Sequence, residues 1–205
     1  MEVYSVDEAF LDLTGIANVE AYARFIKERV EQMTKIPISI GLAPTKGLCK
    51  AACYVAKREK SHKGVVSLLS EESQLHALRQ MPTDKIWGVA RGRSLKLRLL
   101  GIKTALDFRN YPNDKLIQAI LTKVGRQIQE ELRGNVCFPI TENPPKKKEI
   151  MSSRTFGVPI YDYKTLSETV ASHAHEVAQE LRAQGSVCLE IMVFVRSNPF
   201  KESIT

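Results

Sequence analysis

Glu2-Val3-Tyr4-Ser5-Val6-Asp7-Glu8-Ala9-Phe10-Leu11-Asp12-Leu13-Thr14-Gly15 is the stretch whose reading decides the fold. Val3, Tyr4 and Val6 on one side, and Phe10, Leu11 and Leu13 on the other, flank an adjacent acidic pair. The pattern predicts two strands, or one bent strand, with Asp7 and Glu8 at the bend. Successive strand side chains point to opposite faces, but neighbours at a bend can converge. Two carboxylates held together repel, and a divalent cation, Mg2+ above all, removes that cost by taking them as oxygen ligands. Two solvated carboxylates at a turn are the plain alternative. The apolar flanks weigh against it, because charge embedded in strand sequence is costly unless paired or liganded. The stretch alone leaves both readings open.

The chain has 205 residues, 43% hydrophobic and 26% charged, which are globular values for one or two domains and part of a third. A formal charge of +7 suits a polyanionic partner such as nucleic acid, and equally a soluble basic domain. Cys49, Cys53, Cys137 and Cys188 are too scattered for a disulfide framework and lack zinc-finger pairing, so they read as core thiols in a reducing, cytoplasmic compartment. His173 and His175, two apart on a predicted helix, face different ways and do not share a metal. No apolar run approaches a membrane span, so no membrane partner is expected.

Downstream of Gly15 the period changes. Tyr22, Ile26, Val30 and Met33 predict an amphipathic helix with Asn18 as its cap. A short strand at Pro37 to Leu42 leads through Thr45-Lys46 into a second helix carrying Leu48, Ala51, Ala52, Val55 and Ala56 to Lys57 and Arg58, and Val65 to Leu69 reads as another strand. This rhythm predicts an α+β fold in which helices cover one face of an antiparallel sheet. Between Met81 and Thr104, two short helices around a glycine hairpin either present backbone amides to a phosphate as a helix-hairpin-helix unit or form an ordinary helical hairpin. A third helix carries Leu116, Ile120, Val124, Ile128 and Leu132 and stops at Gly134. The paired prolines and lysines of Thr141 to Glu149 read as a linker. Strand-like Ser152 to Gly157, a helix headed by a Thr165/Glu168 capping box, and an alternating strand from Leu189 to Val195 predict half of a further α/β domain.

Several of these stretches, in collinear order, resemble one family. Tyr4 to Asp12 resembles the second carboxylate motif of Y-family translesion DNA polymerases, and Ile40 to Lys46, continuing to Lys50 and Ala56-Lys57, resembles their strand-to-helix motif beneath the nucleotide. Pro82 to Thr104 is similar to their thumb. Ser152-Ser153-Arg154-Thr155-Phe156-Gly157 with Ser197-Asn198-Pro199-Phe200 resembles the little finger of the UmuC type, the catalytic subunit of bacterial DNA polymerase V. The resemblance implies a partial palm over 1–70, a helical thumb with a helix-hairpin-helix over 71–138, a linker over 139–150 and a partial little-finger domain over 151–205.

It further implies an error-prone DNA-directed nucleotidyl transfer in the SOS response to DNA damage, using two Mg2+ ions. Asp7 and Glu8 would be the metal ligands and catalytic carboxylates, and Lys57 would reach the triphosphate. Gly88, Arg91, Arg93 and Arg154 would bind DNA. Lys46 and Lys50 are weaker neighbours, each also readable as a solvated helix charge. Primer-template DNA and a deoxynucleoside triphosphate are the implied substrates; a UmuD-type dimer, a recombinase filament and the sliding clamp are the implied partners. The family's first metal carboxylate and its fingers have no counterpart here, so the expectation is a fragment that is catalytically incomplete alone. Ala90 stands where the family has a second glycine, which puts the hairpin's grip in question. A non-catalytic DNA-binding or regulatory module derived from such a polymerase is the alternative.

Overall fold

The acidic stretch folds as a hairpin, β1 Glu2–Val3 antiparallel to β2 Ala9–Phe10, with Glu2 opposite Phe10 and Val3 opposite Ala9. Asp7 and Glu8 sit in its turn, as the two-strand reading expects. The apolar flanks do not make it an inner strand. Only Phe10 is buried, while Val3, Tyr4, Val6 and Leu11 are exposed, so the hairpin is a surface ribbon. The computed structural model describes residues 1–142 and 146–196, which divide into two compact units, Met1–Glu142 and Asn143–Thr205. Pro144-Pro145 of the expected linker and the Ser197 to Phe200 motif lie outside the described residues.

In the first unit, α1 Val19–Thr34 starts where Asn18, in a left-handed conformation, accepts a hydrogen bond from the Ala21 N–H. Its buried face is narrower than the periodicity predicts. Ala23 is fully enclosed, Ile26 and Val30 are half-buried, and Tyr22 and Met33 stay exposed. The strands β3 Ile40–Leu42 and β4 Val65–Ser67 pair in parallel, with Ile40 opposite Val65. Among the described residues, the single antiparallel sheet expected from the sequence is thus two separate two-stranded ribbons. A parallel partner requires a crossover between the strands, and the helix α2 Lys46–Arg58 supplies it.

Thr45 caps α2 by accepting from the Leu48 N–H, and Leu48, Ala51, Ala52, Val55 and Ala56 enter the main core. That core continues through α3 Glu71–Gln80, α4 Arg91–Leu99, α5 Ala105–Asn110 and α6 Asp114–Leu132, with Leu78, Leu97, Phe108 and Ile117 fully buried. The first of the two short helices expected after Met81 is only a 3-10 turn at Thr83–Lys85, just after Pro82. Ala90 adopts ordinary extended φ/ψ of −67° and 152°, so no positive φ is asked of it; Gly88, at φ +78°, makes the turn. In α6 the buried positions are Ile117, Leu121, Gly125, Ile128, Gln129, Glu131 and Leu132, while Val124 is exposed. Thr122, with non-helical φ 68°, kinks the helix and resets the inward face.

The second unit is built on α7 Tyr163–Ala183. Its cap is Asp162, which accepts from the Thr165 N–H at 2.8 Å, and not the expected Thr165/Glu168 box. Neither 152–157 nor 189–195 forms a strand among the described residues, and Leu189, Ile191, Val193 and Val195 are exposed. Alternation equips a segment for a sheet, but a lone strand leaves its ladder groups without partners. Cys188 is exposed as well, unlike the core thiol expected there.

Candidate functional site

The acidic hairpin is seated on one face of α2. Lys46, Lys50 and Lys57, at i, i+4 and i+11, project from the same side of a 3.6-residue helix. Lys46 Nζ donates to Glu2 Oε2 at 2.6 Å and to the Pro139 carbonyl at 3.0 Å, and lies over the Phe10 ring. Lys50 Nζ donates to Glu8 Oε1 at 2.5 Å. Lys57, exposed, stands close enough to Asp7 to draw its carboxyl down. The Ser5 hydroxyl, donating to Asp7 Oδ1 at 2.6 Å, is the larger cause of that lowering, and Lys50 adds to it. Asp7 is therefore an ionised, solvent-facing carboxylate.

The turn itself is closed by its backbone, because the Tyr4 and Ser5 N–H groups both donate to the Glu8 carbonyl at 2.9 and 3.1 Å. Beneath it, Tyr4, Phe10, Trp87 and Phe138 form a cluster of edge-on and tilted aromatic contacts, and Trp87 Nε1–H donates to the Tyr4 hydroxyl at 3.1 Å. Trp87 directly precedes Gly88, so the hairpin that carries the acids touches the loop that leads into α4. A Cβ on Gly88 would lie 2.5 Å from Ile128 Cδ1, the end of a side chain that can turn aside, so it is the positive φ that calls for glycine.

Of the residues expected to matter, Asp7 and Glu8 share the turn, and Lys57 lies near enough for its charge to act on Asp7. Gly88, Arg91 and Arg93 lie at the start of α4, exposed, with neither arginine in an ion pair among the described residues. Arg154 is exposed in the second unit, where it helps lower the Glu176 carboxyl behind the larger effect of the Ser152 hydroxyl. Lys46 and Lys50, weighed as solvated helix charges, are instead paired and largely covered. Their common helix face was the signal available in the sequence. Glu131 carried no such signal. It is fully buried, with Oε2 accepting from Gly47 N–H at 2.8 Å and Oε1 from the N–H groups of Cys137 and Phe138.

Asp7 and Glu8 provide hard oxygen donors of the kind a divalent cation takes, and so fit one as a partial donor set. Among the described residues no three His, Cys, Asp or Glu converge on a common point, so a two-ion arrangement needs a further carboxylate.

Residues 1–54 match the model of the impB/mucB/samB family, and residues 147–205 match the impB/mucB/samB family C-terminal domain. The chain is 38% identical over 204 residues to Protein UmuC of Salmonella typhimurium and 33% identical over 203 residues to Protein MucB of Escherichia coli, in each case across 98% of its own length and 48% of the relative. The chain belongs to the impB/mucB/samB family. The chain spans about half the length of the curated relatives it matches. Among solved structures, this family member is similar in fold to a Y-family DNA polymerase chimera of Dbh and Dpo4, with a TM-score of 0.61 over 87% of this chain and 51% of the other at 24% identity. DinB from Sulfolobus solfataricus gives a TM-score of 0.51 over 64% of this chain and 38% of its own, at 28% identity. The α+β architecture is thus that of a Y-family polymerase over the matched part. No described helix is long and apolar enough to cross a membrane.

Proposed function

We propose that this impB/mucB/samB chain supplies part of an error-prone translesion DNA polymerase that acts on damaged DNA in the cytoplasmic SOS response. Its share would be palm over 1–70, thumb over 71–138, a linker over 139–150 and little finger over 151–205. The observation that carries the reading is the acidic turn of Asp7 and Glu8 set against the lysine face of α2. Asp7 and Glu8 hold Mg2+, with the second ion needing a carboxylate beyond these two. Bound there, Mg2+ would lower the barrier to primer-hydroxyl attack and offset charge on the leaving pyrophosphate. Lys57, exposed on the same face of α2, meets the triphosphate of the incoming nucleotide as a compact cation. The Gly88 turn, Arg91, Arg93 and Arg154 hold primer-template phosphates and set affinity without reading sequence. A UmuD-type dimer, a recombinase filament and the sliding clamp are the partners that family resemblance puts forward.

A second reading is a DNA-binding or regulatory module without catalysis. The Glu8–Lys50 pair favours it, since half of the acidic pair already has a counter-ion from the protein. Primer extension with Mg2+ by the wild-type chain, compared with Asp7→Ala plus Glu8→Ala, separates the two. Extension that vanishes in the double variant supports the polymerase reading. Duplex binding without extension in either protein supports the module.

A further inference from the structure

We propose that Lys50 is the resident counter-ion of Glu8: its ammonium occupies the carboxylate oxygen that a divalent cation would take, and leaves when that cation binds. The inference rests on the reading of Asp7 and Glu8 as the metal pair.

The three lysines of the α2 face are held very differently. Lys46 is fixed by Glu2, by the Pro139 carbonyl and by the Phe10 ring, with a side chain only 9% exposed. Lys57 has no ion-pair partner among the described residues. Lys50 has one carboxylate partner, Glu8 at 2.5 Å, with side chains 22% and 35% exposed. It also lies 5.9 Å from the centre of the Tyr4 ring, whose face offers an ammonium a second resting place. Glu8 sits in a turn whose main chain is held, its carbonyl accepting from the Tyr4 and Ser5 N–H groups, while Lys50 can retreat toward the Tyr4 ring. A cation arriving between Asp7 and Glu8 would meet Lys50 as a like charge on the same oxygen, and the mobile partner is the one that yields.

The test is an electron paramagnetic resonance titration of the full chain with Mn2+, without DNA or nucleotide. For a partly exposed pair, Lys50→Met should tighten Mn2+ binding roughly three- to fivefold by removing the competitor. Lys50→Arg, which keeps a cation and a donor, should restore wild-type affinity, and Glu8→Gln should abolish the gain. Lys96→Met, which removes the same charge from the exposed surface of α4 without touching Asp7 or Glu8, should move the affinity less than twofold. Unchanged or weaker binding by Lys50→Met overturns the proposal, and so does an equal gain in Lys96→Met, which would mark a general charge effect. If Mn2+ binding is insensitive to Asp7→Asn and Glu8→Gln, the metal reading itself fails and the proposal goes with it. Binding that needs Asp7 but ignores Lys50 leaves the metal reading standing and removes only the role of Lys50.

Discussion

Gly47 and Glu131 approach so closely that a Cβ on residue 47 would lie 2.8 Å from the Cβ of Glu131. In the first turn of α2, the Gly47 N–H donates to the buried Glu131 carboxylate, and the other carboxylate oxygen takes two N–H groups of the chain just beyond α6. One anion thereby fixes the start of the helix that bears Lys46, Lys50 and Lys57. Gly47→Ala should cost about 1–3 kcal/mol by forcing the two helices apart. Glu131→Ala, which leaves buried donors unpaired, should cost about 3 kcal/mol or more. Because both changes act on one contact, the double variant should lose less than the sum in urea unfolding. Strict additivity would show that the two residues act independently.

The acid limit of stability should be set in part by Glu130. The Arg126 guanidinium, with Asn135 and Arg133 beside it, outweighs the cost of burial and holds this carboxyl at about 2, against an ordinary 4.5. Asp114 shares both arginines. A carboxyl depressed in the folded state contributes stability above its unfolded value and loses it as pH falls toward the folded one. The window is therefore from about pH 4.5 down to about 2, and the full effect approaches about 3 kcal/mol before screening. Glu130→Gln should flatten the unfolding free energy across that window. A slope unchanged from wild type would place the acid sensitivity elsewhere.

How much of this was legible follows from the range of each interaction. The hairpin around Asp7 and Glu8, the Asn18 cap and the α2 helix depend on neighbours within a few residues, and the sequence pattern carries them. It does not carry the α6 face, because Thr122 breaks the period that Leu116, Ile120 and Val124 set. The parallel pairing of Ile40–Leu42 with Val65–Ser67 also depends on partners far along the chain. At the site, the acidic pair was visible as a dipeptide. Its counter-ions were visible only as a lysine spacing, and Glu131 looked like any acidic residue near the end of a helix.

Arg91 and Arg93 should act on DNA through charge alone. Both are exposed at the N-terminal end of α4, next to a loop whose Gly88 takes positive φ. Replacing both with Ala should weaken duplex binding about equally for unrelated sequences and reduce the salt slope by about two. Fluorescence anisotropy over a range of salt concentrations checks it. A sequence-dependent loss, or an unaltered slope, would show that these side chains do not meet phosphates.

Trp87 should report directly on whether the acidic hairpin is seated. It is the single tryptophan of the chain, and it touches Tyr4 and Phe10 of the hairpin and Phe138 beyond α6. Its indole N–H donates to the Tyr4 hydroxyl. Tyr4→Phe removes that acceptor and keeps the ring, so it should cost only about 0.5–1.5 kcal/mol and leave the aromatic packing in place. Tyr4→Ala removes both, and beside the Phe10–Trp87 contact the hairpin then keeps the ion pairs Lys46–Glu2 and Lys50–Glu8. Its emission should shift to the red under native conditions, as water reaches the indole, while circular dichroism keeps the helical signal of α2 and α6. The added variant Lys46→Met should deepen the red shift, because it removes the more enclosed of the two ion pairs. If Tyr4→Ala leaves the emission where it is, Trp87 is shielded by something other than the hairpin, and the coupling between the acidic turn and the Gly88 loop is lost.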